Sequence, residues 1–136
     1  MKELIGKLVQ EEIRMSREKG TFHLFALFLR EDAPDKWDLV VAAPWIDKNK
    51  ESALKYIAKS IQNSLKKDEL LKISRIVMID EGNPALSALQ RAVHTEHSFT
   101  QIQDSNFFGL QIKHAFVITS KRNGDSKSNT EQIKNT

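Results

Sequence analysis

Trp37-Asp38-Leu39-Val40-Val41-Ala42-Ala43-Pro44-Trp45-Ile46-Asp47 is the stretch on which the fold turns. It is a nearly unbroken apolar run between two aspartates, and it holds both tryptophans of the chain. Apolar residues without alternation belong to a strand covered on both faces, as in sheets flanked by helices. Pro44 has no N–H to donate, so pairing is expected to run to about Ala43 or to bulge there. Ala42 and Ala43 carry little side chain, which leaves room for a helix or a ligand to approach that part of the sheet.

Upstream, Thr21 to Arg30 is apolar on both alternate faces, with His23 its polar member, and reads as another strand. The polar segment Glu31 to Lys36 is short enough for a hairpin, so these strands should pair antiparallel. Before them, Leu4, Ile5, Leu8, Val9 and Ile13 form a stripe at helical spacing over Lys2 to Lys19. Gly20 stands where a glycine cap belongs.

Downstream, Asp47 to Leu71 has the pattern of a helix, with Leu54, Ile57, Ala58, Ile61 and Leu65 on one face. Asn49 or Asp47 can cap its start, and Lys66-Lys67-Asp68 ends or bends it. Ser74 to Asp80 reads as the next strand; Ile76-Val77-Met78-Ile79 is continuous and apolar, as in a central parallel strand. Strand, helix, strand is a right-handed crossover. Asn83 and Pro84 are an N-cap and a first helical residue. The helix they open carries Leu86, Leu89 and Val93 and ends near His94-Thr95-Glu96-His97. From Phe108 to Ile118 the even positions are apolar apart from His114, the pattern of a half-buried strand. Phe99 to Gln103 is its expected hairpin partner across Asp104-Ser105-Asn106.

The expected fold is therefore α/β (or α+β). It is a single three-layer domain over residues 1–120, with a mixed sheet of about five strands and three helices. The element order is α-β-β-α-β-α-β-β, and the polar residues 121–136 read as a disordered tail. A chain of 136 residues is long enough to bury a core without staples, and its 40% apolar and 29% charged residues are ordinary for a globular protein. With no cysteine there is no disulfide framework, thiolate nucleophile or cysteine-bound zinc. The longest apolar run, Phe22 to Leu29, is far short of the roughly 20 residues that span a bilayer. A cytoplasmic protein without a membrane partner is expected.

No stretch carries a reaction signature. The glycines at positions 6, 20, 82, 109 and 124 assemble neither a P-loop nor a dinucleotide fingerprint, and no Gly-x-Ser-x-Gly elbow occurs. The most site-like feature comes from topology. In open α/β sheets ligands bind outside the carboxyl ends of strands. The expected parallel strands end in Trp45-Ile46-Asp47 and Met78-Ile79-Asp80-Glu81, so Asp47, Asp80 and Glu81 would share that edge. Carboxylates there suit a magnesium ion held with water and phosphate, with Asp47 and Asp80 the candidate metal ligands. The same acids also simply favour the helix N-termini that follow them. His94 and His97, three apart at a helix end around Glu96, match no zinc spacing. His23 and His114 would approach each other only if their strands were neighbours.

The order of elements resembles the core of the PD-(D/E)xK nucleases, with Asp38 opening a strand. The Glu-x-Lys that such a nuclease requires does not follow Asp38, and Trp45-Ile46-Asp47-Lys48 does not supply it. The likeness is one of topology, and membership is not claimed. The favoured reading is a non-catalytic binding, regulatory or oligomerising module, with Trp37 and Trp45 as interface anchors if exposed and the long final strand at or near a sheet edge, where homo-oligomers can form. No cofactor is expected under it. The alternative is a metal-dependent phosphoester hydrolase or nuclease-like domain using Asp47, Asp80 and Glu81, perhaps with Asp38, and magnesium. The net charge of +3 concentrates in the lysines of the Lys48–Lys72 segment. Such a basic face suits nucleic acid or acidic partners, but it lacks arginine, the residue of bidentate phosphate and base contacts.

Overall fold

A computed structural model of the chain describes residues 1–122. The element order is α1 (Lys2–Lys19), β1 (Leu24–Arg30), β2 (Trp37–Ala42), α2 (Pro44–Lys48), α3 (Lys50–Ser64), α4 (Lys67–Leu70), β3 (Ile73–Met78), α5 (Pro84–Ala92), β4 (Thr100–Phe107) and β5 (Leu110–Ser120). The strands form one mixed sheet in the order β3-β2-β1-β5-β4. Of the expected tail, residues 123–136 lie outside the described residues.

β1 and β2 pair antiparallel, with Leu24 opposite Ala42 and Leu29 opposite Trp37. β2 and β3 are parallel neighbours, as the crossover requires. β2 is shorter than its apolar run suggests. Pro44 takes the first position of α2, so Trp45, Ile46 and Asp47 are helical. The missing proline N–H costs nothing there, because a first-turn N–H has no intrahelical acceptor. The single helix expected over Asp47–Leu71 is divided into α2, α3 and α4. One break comes at Asn49, whose side chain accepts the Ser52 N–H at 3.1 Å and caps α3; the other comes at Leu65-Lys66, where the helix was expected to end or bend.

Helices cover the two faces of the sheet. On one, Leu4, Ile5, Leu8 and Met15 of α1 and Ala53, Ile57 and Ile61 of α3 pack on Phe25, Leu27, Leu39, Val41, Phe116 and Ile118. On the other, Leu86 and Leu89 of α5 pack on Leu24, Ala26, Val40, Ala42 and Val117. Phe28 and Leu39 are at most 2% exposed; burial of such side chains stabilises by about 1.5–3 kcal/mol each. α5 is short, and Phe107 and Phe108 extend its layer by stacking over Phe28, with centroids 5.6 and 6.3 Å away.

The final hairpin departs from expectation. Its turn is Phe108-Gly109, both at positive φ (56° and 74°), and not Asp104-Ser105-Asn106. A two-residue turn with both φ values positive follows the twist of the strands, and glycine suits it. Asp104, at φ 48°, leaves the register unchanged on either side. The even-position alternation of β5 also fails. Ile112 faces the α5 layer whereas Phe116 and Ile118 face α1, because the β1–β5 register shifts between Leu29 and Arg30. The long strand β5 is paired on both sides, which leaves β3 and β4 as the edges. β3 is therefore not the central strand its composition implies: Ile76, Val77 and Met78 are only half-buried. Trp37 and Trp45 are packed rather than displayed, Trp37 on Phe116 and Trp45 on Phe22.

Candidate functional site

The end of β2 and the end of β3 lie side by side, with the Ile79 N–H donating to the Val41 carbonyl at 2.8 Å. This brings Asp47, Asp80 and Glu81 to one edge, although Asp47 arrives from α2 and not from a strand. Each carboxylate is engaged by the protein itself. Asp47 Oδ2 accepts the Glu81 N–H at 3.0 Å. Asp80 is bonded to the Lys50 ammonium. Glu81 Oε1 lies 2.5 Å from His23 Nδ1. The bond to Asp80, helped by its negative charge, holds Lys50 above the ordinary lysine pKa.

His23 is the centre of this group and is 7% exposed. Its backbone N–H donates to Ala42 at 2.8 Å, and its carbonyl accepts the Lys121 N–H at 3.1 Å and the Gln90 side chain at 3.2 Å. Strand β2, helix α5 and the residue that follows β5 thus fix the backbone from which the ring reaches Glu81. Glu81 Oε2 is buried without a hydrogen-bond partner among the described residues. A histidine oriented by a carboxylate is half of an acid–base device. Lys50 and His23 were not foreseen as partners of these acids, because periodicity places residues on faces but does not bring positions 23 and 81 together.

Asp38, 3% exposed, lies between Arg30 Nε and Arg75 Nη2, each at 3.2 Å. It sits at the opposite end of β2 from Asp47 and does not join the carboxylate edge. The pair His94 and His97 is also dispersed. α5 ends at Ala92, and His97, at φ 57°, turns its Nδ1 to Glu12 at 2.6 Å. Glu12 is fully buried on α1 and also accepts the Thr119 hydroxyl at 2.8 Å. His23 and His114 stay apart although β1 and β5 are neighbours, because the antiparallel register sets Leu29 opposite His114 and Leu24 opposite Ser120. His114 stacks on Phe116 at 4.8 Å. Among the described residues no group of three or more His, Cys, Asp or Glu is placed to hold a metal ion. At the strand edge the three carboxylates are held by the Glu81 amide, Lys50 and His23.

A second feature was not foreseen. Between α3 and the free side of β3 runs a mostly apolar groove of about 450 Å³, lined by Leu54, Ala58, Ile61, Leu70, Ile73 and Ile76 together with Gln62, Ser74 and Arg75. Since Ile79 points its N–H at β2, alternation turns Val77 and Arg75 toward β2 as well. Ile76 and Met78 then present their N–H and C=O groups to the open edge. The apolar run Ile76–Ile79 is the sequence signal of this edge, and its composition equally suits a strand inside the sheet.

Comparison of the chain with protein-family models, with curated proteins and with solved structures finds no match. Among the described residues no helix is long and apolar enough to cross a membrane.

Proposed function

We propose that this protein is a non-catalytic, cytoplasmic binding module that works through the open edge of its sheet at β3. The observation that carries the reading is the half-exposed apolar strand Ile73–Met78 at an edge, beside the groove under α3. An edge strand presents unpaired N–H and C=O groups and is a template for another chain; proteins that do not use such an edge blunt it with charge, proline or a covering loop. Ile76, Val77 and Met78 do none of these, and Arg75, the charged residue of the strand, has its guanidinium tied to Asp38 at 3.2 Å. The hydrolase alternative is less well supported, because Asp47, Asp80 and Glu81 already hold the Glu81 amide, Lys50 and His23.

The test is to measure self-association by light scattering and peptide binding by selection from a displayed random library, each with the parent chain and with Leu54→Lys. Leu54 is 37% exposed on α3, so lysine there charges the groove without entering the core. Whichever association the parent shows is expected to vanish in Leu54→Lys while the melting temperature holds. Association that survives the substitution refutes this placement of the working surface. Binding heat with millimolar magnesium or manganese would return the hydrolase reading.

A further inference from the structure

We infer that the occupant of the β3 edge is an extended, acidic segment of another protein, added antiparallel as a sixth strand; this rests on the edge reading above. The edge supplies backbone groups at Ile76 and Met78, and the groove beside it takes apolar side chains from alternate positions of the incoming strand. Charge supplies the rest. Lys66, Lys67 and Lys72 are exposed around the start of β3, and among the described residues none of them is in an ion pair. Toward the far end two lysines are answered within the chain, Lys50 by Asp80 and Lys55 by Glu51 at 3.4 Å.

Asp68 offsets one of the three lysines at the start of β3, and at the far end the exposed Lys48 stands beside Asp47, so the excess positive charge flanks the groove at the start of β3. Antiparallel addition brings the C-terminal part of the incoming strand to that end, so its acidic residues follow its apolar ones. The chain's own residues 123–136 fit poorly, with Ile133 their single apolar residue and Lys127 and Lys134 offsetting Asp125 and Glu131. A second copy fits poorly as well. With Ile76 opposite its counterpart, Lys72 would meet the other copy's Asp80, a carboxylate already held by its own Lys50. Lys66 and Lys67 would remain unanswered.

Peptide-library selection on the immobilised chain tests this directly. The enriched peptides are expected to carry apolar residues at alternate positions followed by aspartate or glutamate. A synthetic peptide of that pattern is expected to bind, and to lose about tenfold in affinity when Lys66, Lys67 and Lys72 are changed together to glutamate. A library that enriches nothing, or enriches apolar peptides without acids, overturns the inference. If the parent chain instead dimerises and Leu54→Lys abolishes the dimer, the occupant is a second copy: the inference fails and the edge reading stands. If nothing binds and the chain stays monomeric at high concentration, both fail. Salt-sensitive binding of single-stranded RNA that is lost in the triple glutamate variant but kept in Leu54→Lys also overturns it.

Discussion

If the acids of α2 and of the segment after β3 are ties and not a metal site, removing Glu81 must cost stability through His23. His23 is buried, and the hydrogen bond between its Nδ1 and the Glu81 carboxylate is 2.5 Å long. A hydrogen bond to a charged group contributes about 1.5–3 kcal/mol. Glu81→Ala should therefore lower the unfolding free energy by about 2 kcal/mol. For a chain of 136 residues, at about 2.1 cal/mol/K per residue, this corresponds to about 7 °C in melting temperature. His23→Ala should cost at least as much, because it also removes a packed ring. In a double-mutant cycle followed by urea denaturation, the coupling between the two should be about 1.5–3 kcal/mol. Asp80→Ala should leave the midpoint unmoved, because its bond to Lys50 lies in water. Millimolar magnesium should leave the parent chain's melting temperature unchanged. A coupling near zero, or a midpoint that rises with magnesium as linkage demands of a bound ion, refutes the reasoning.

Three further outcomes follow from the same geometry. Burial and the bond to Glu18 push the hydroxyl of Tyr56 up to about 12 from 10.0, and it is the single tyrosine of the chain, so tyrosinate absorbance should show one transition there. Because the folded value is the higher one, the contribution of Tyr56 is complete below pH 10 and lost between pH 10 and about 12, and Tyr56→Phe should remove that loss. The Lys7 ammonium and the Lys66 N–H hold the Glu69 carboxyl below its ordinary range, so its contribution is present near neutrality and lost as pH falls through the depressed value; Glu69→Gln should flatten that part of the acid unfolding curve. Gly20 sits at φ 123°, where an added Cβ would come 3.3 Å from the Trp45 ring that bonds its carbonyl; Gly20→Ala should cost about 1–3 kcal/mol and shift the tryptophan emission.

Much of the architecture was legible because it is written in periodicity and caps. The stripe of α1, the caps Asn49 and Asn83, the β1–β2 hairpin and the β2–β3 crossover all follow from local pattern. The failures have specific causes. Pro44 ends pairing whether the next residues are strand or helix, so its presence did not reveal α2. Ile76–Ile79 has the composition of a strand covered on both sides, and an edge that takes a partner strand has the same composition. Asp104-Ser105-Asn106 carries the commoner turn residues, whereas the turn lies at Phe108-Gly109, whose glycine is its sequence signal. At the carboxylate edge, topology brought the acids together, but the ties to His23 and Lys50 depend on distances that no one-dimensional pattern encodes.

The sheet order also bears on how the chain is made. β1 is flanked by β2 and by β5, so its second neighbour leaves the ribosome long after its first. At roughly 5–20 residues per second, the interval between Ala42 and Ser120 is roughly 4–16 s. Through that interval Leu24, Phe25, Ala26, Leu27 and Phe28, all buried in the finished fold, have one open side. Closing so distant a pairing is slow as well, since ends far apart in sequence must meet before the contact stabilises anything. Nascent chains halted before Leu110 should therefore bind holding chaperones and aggregate when released, and those completed through Ser120 should not.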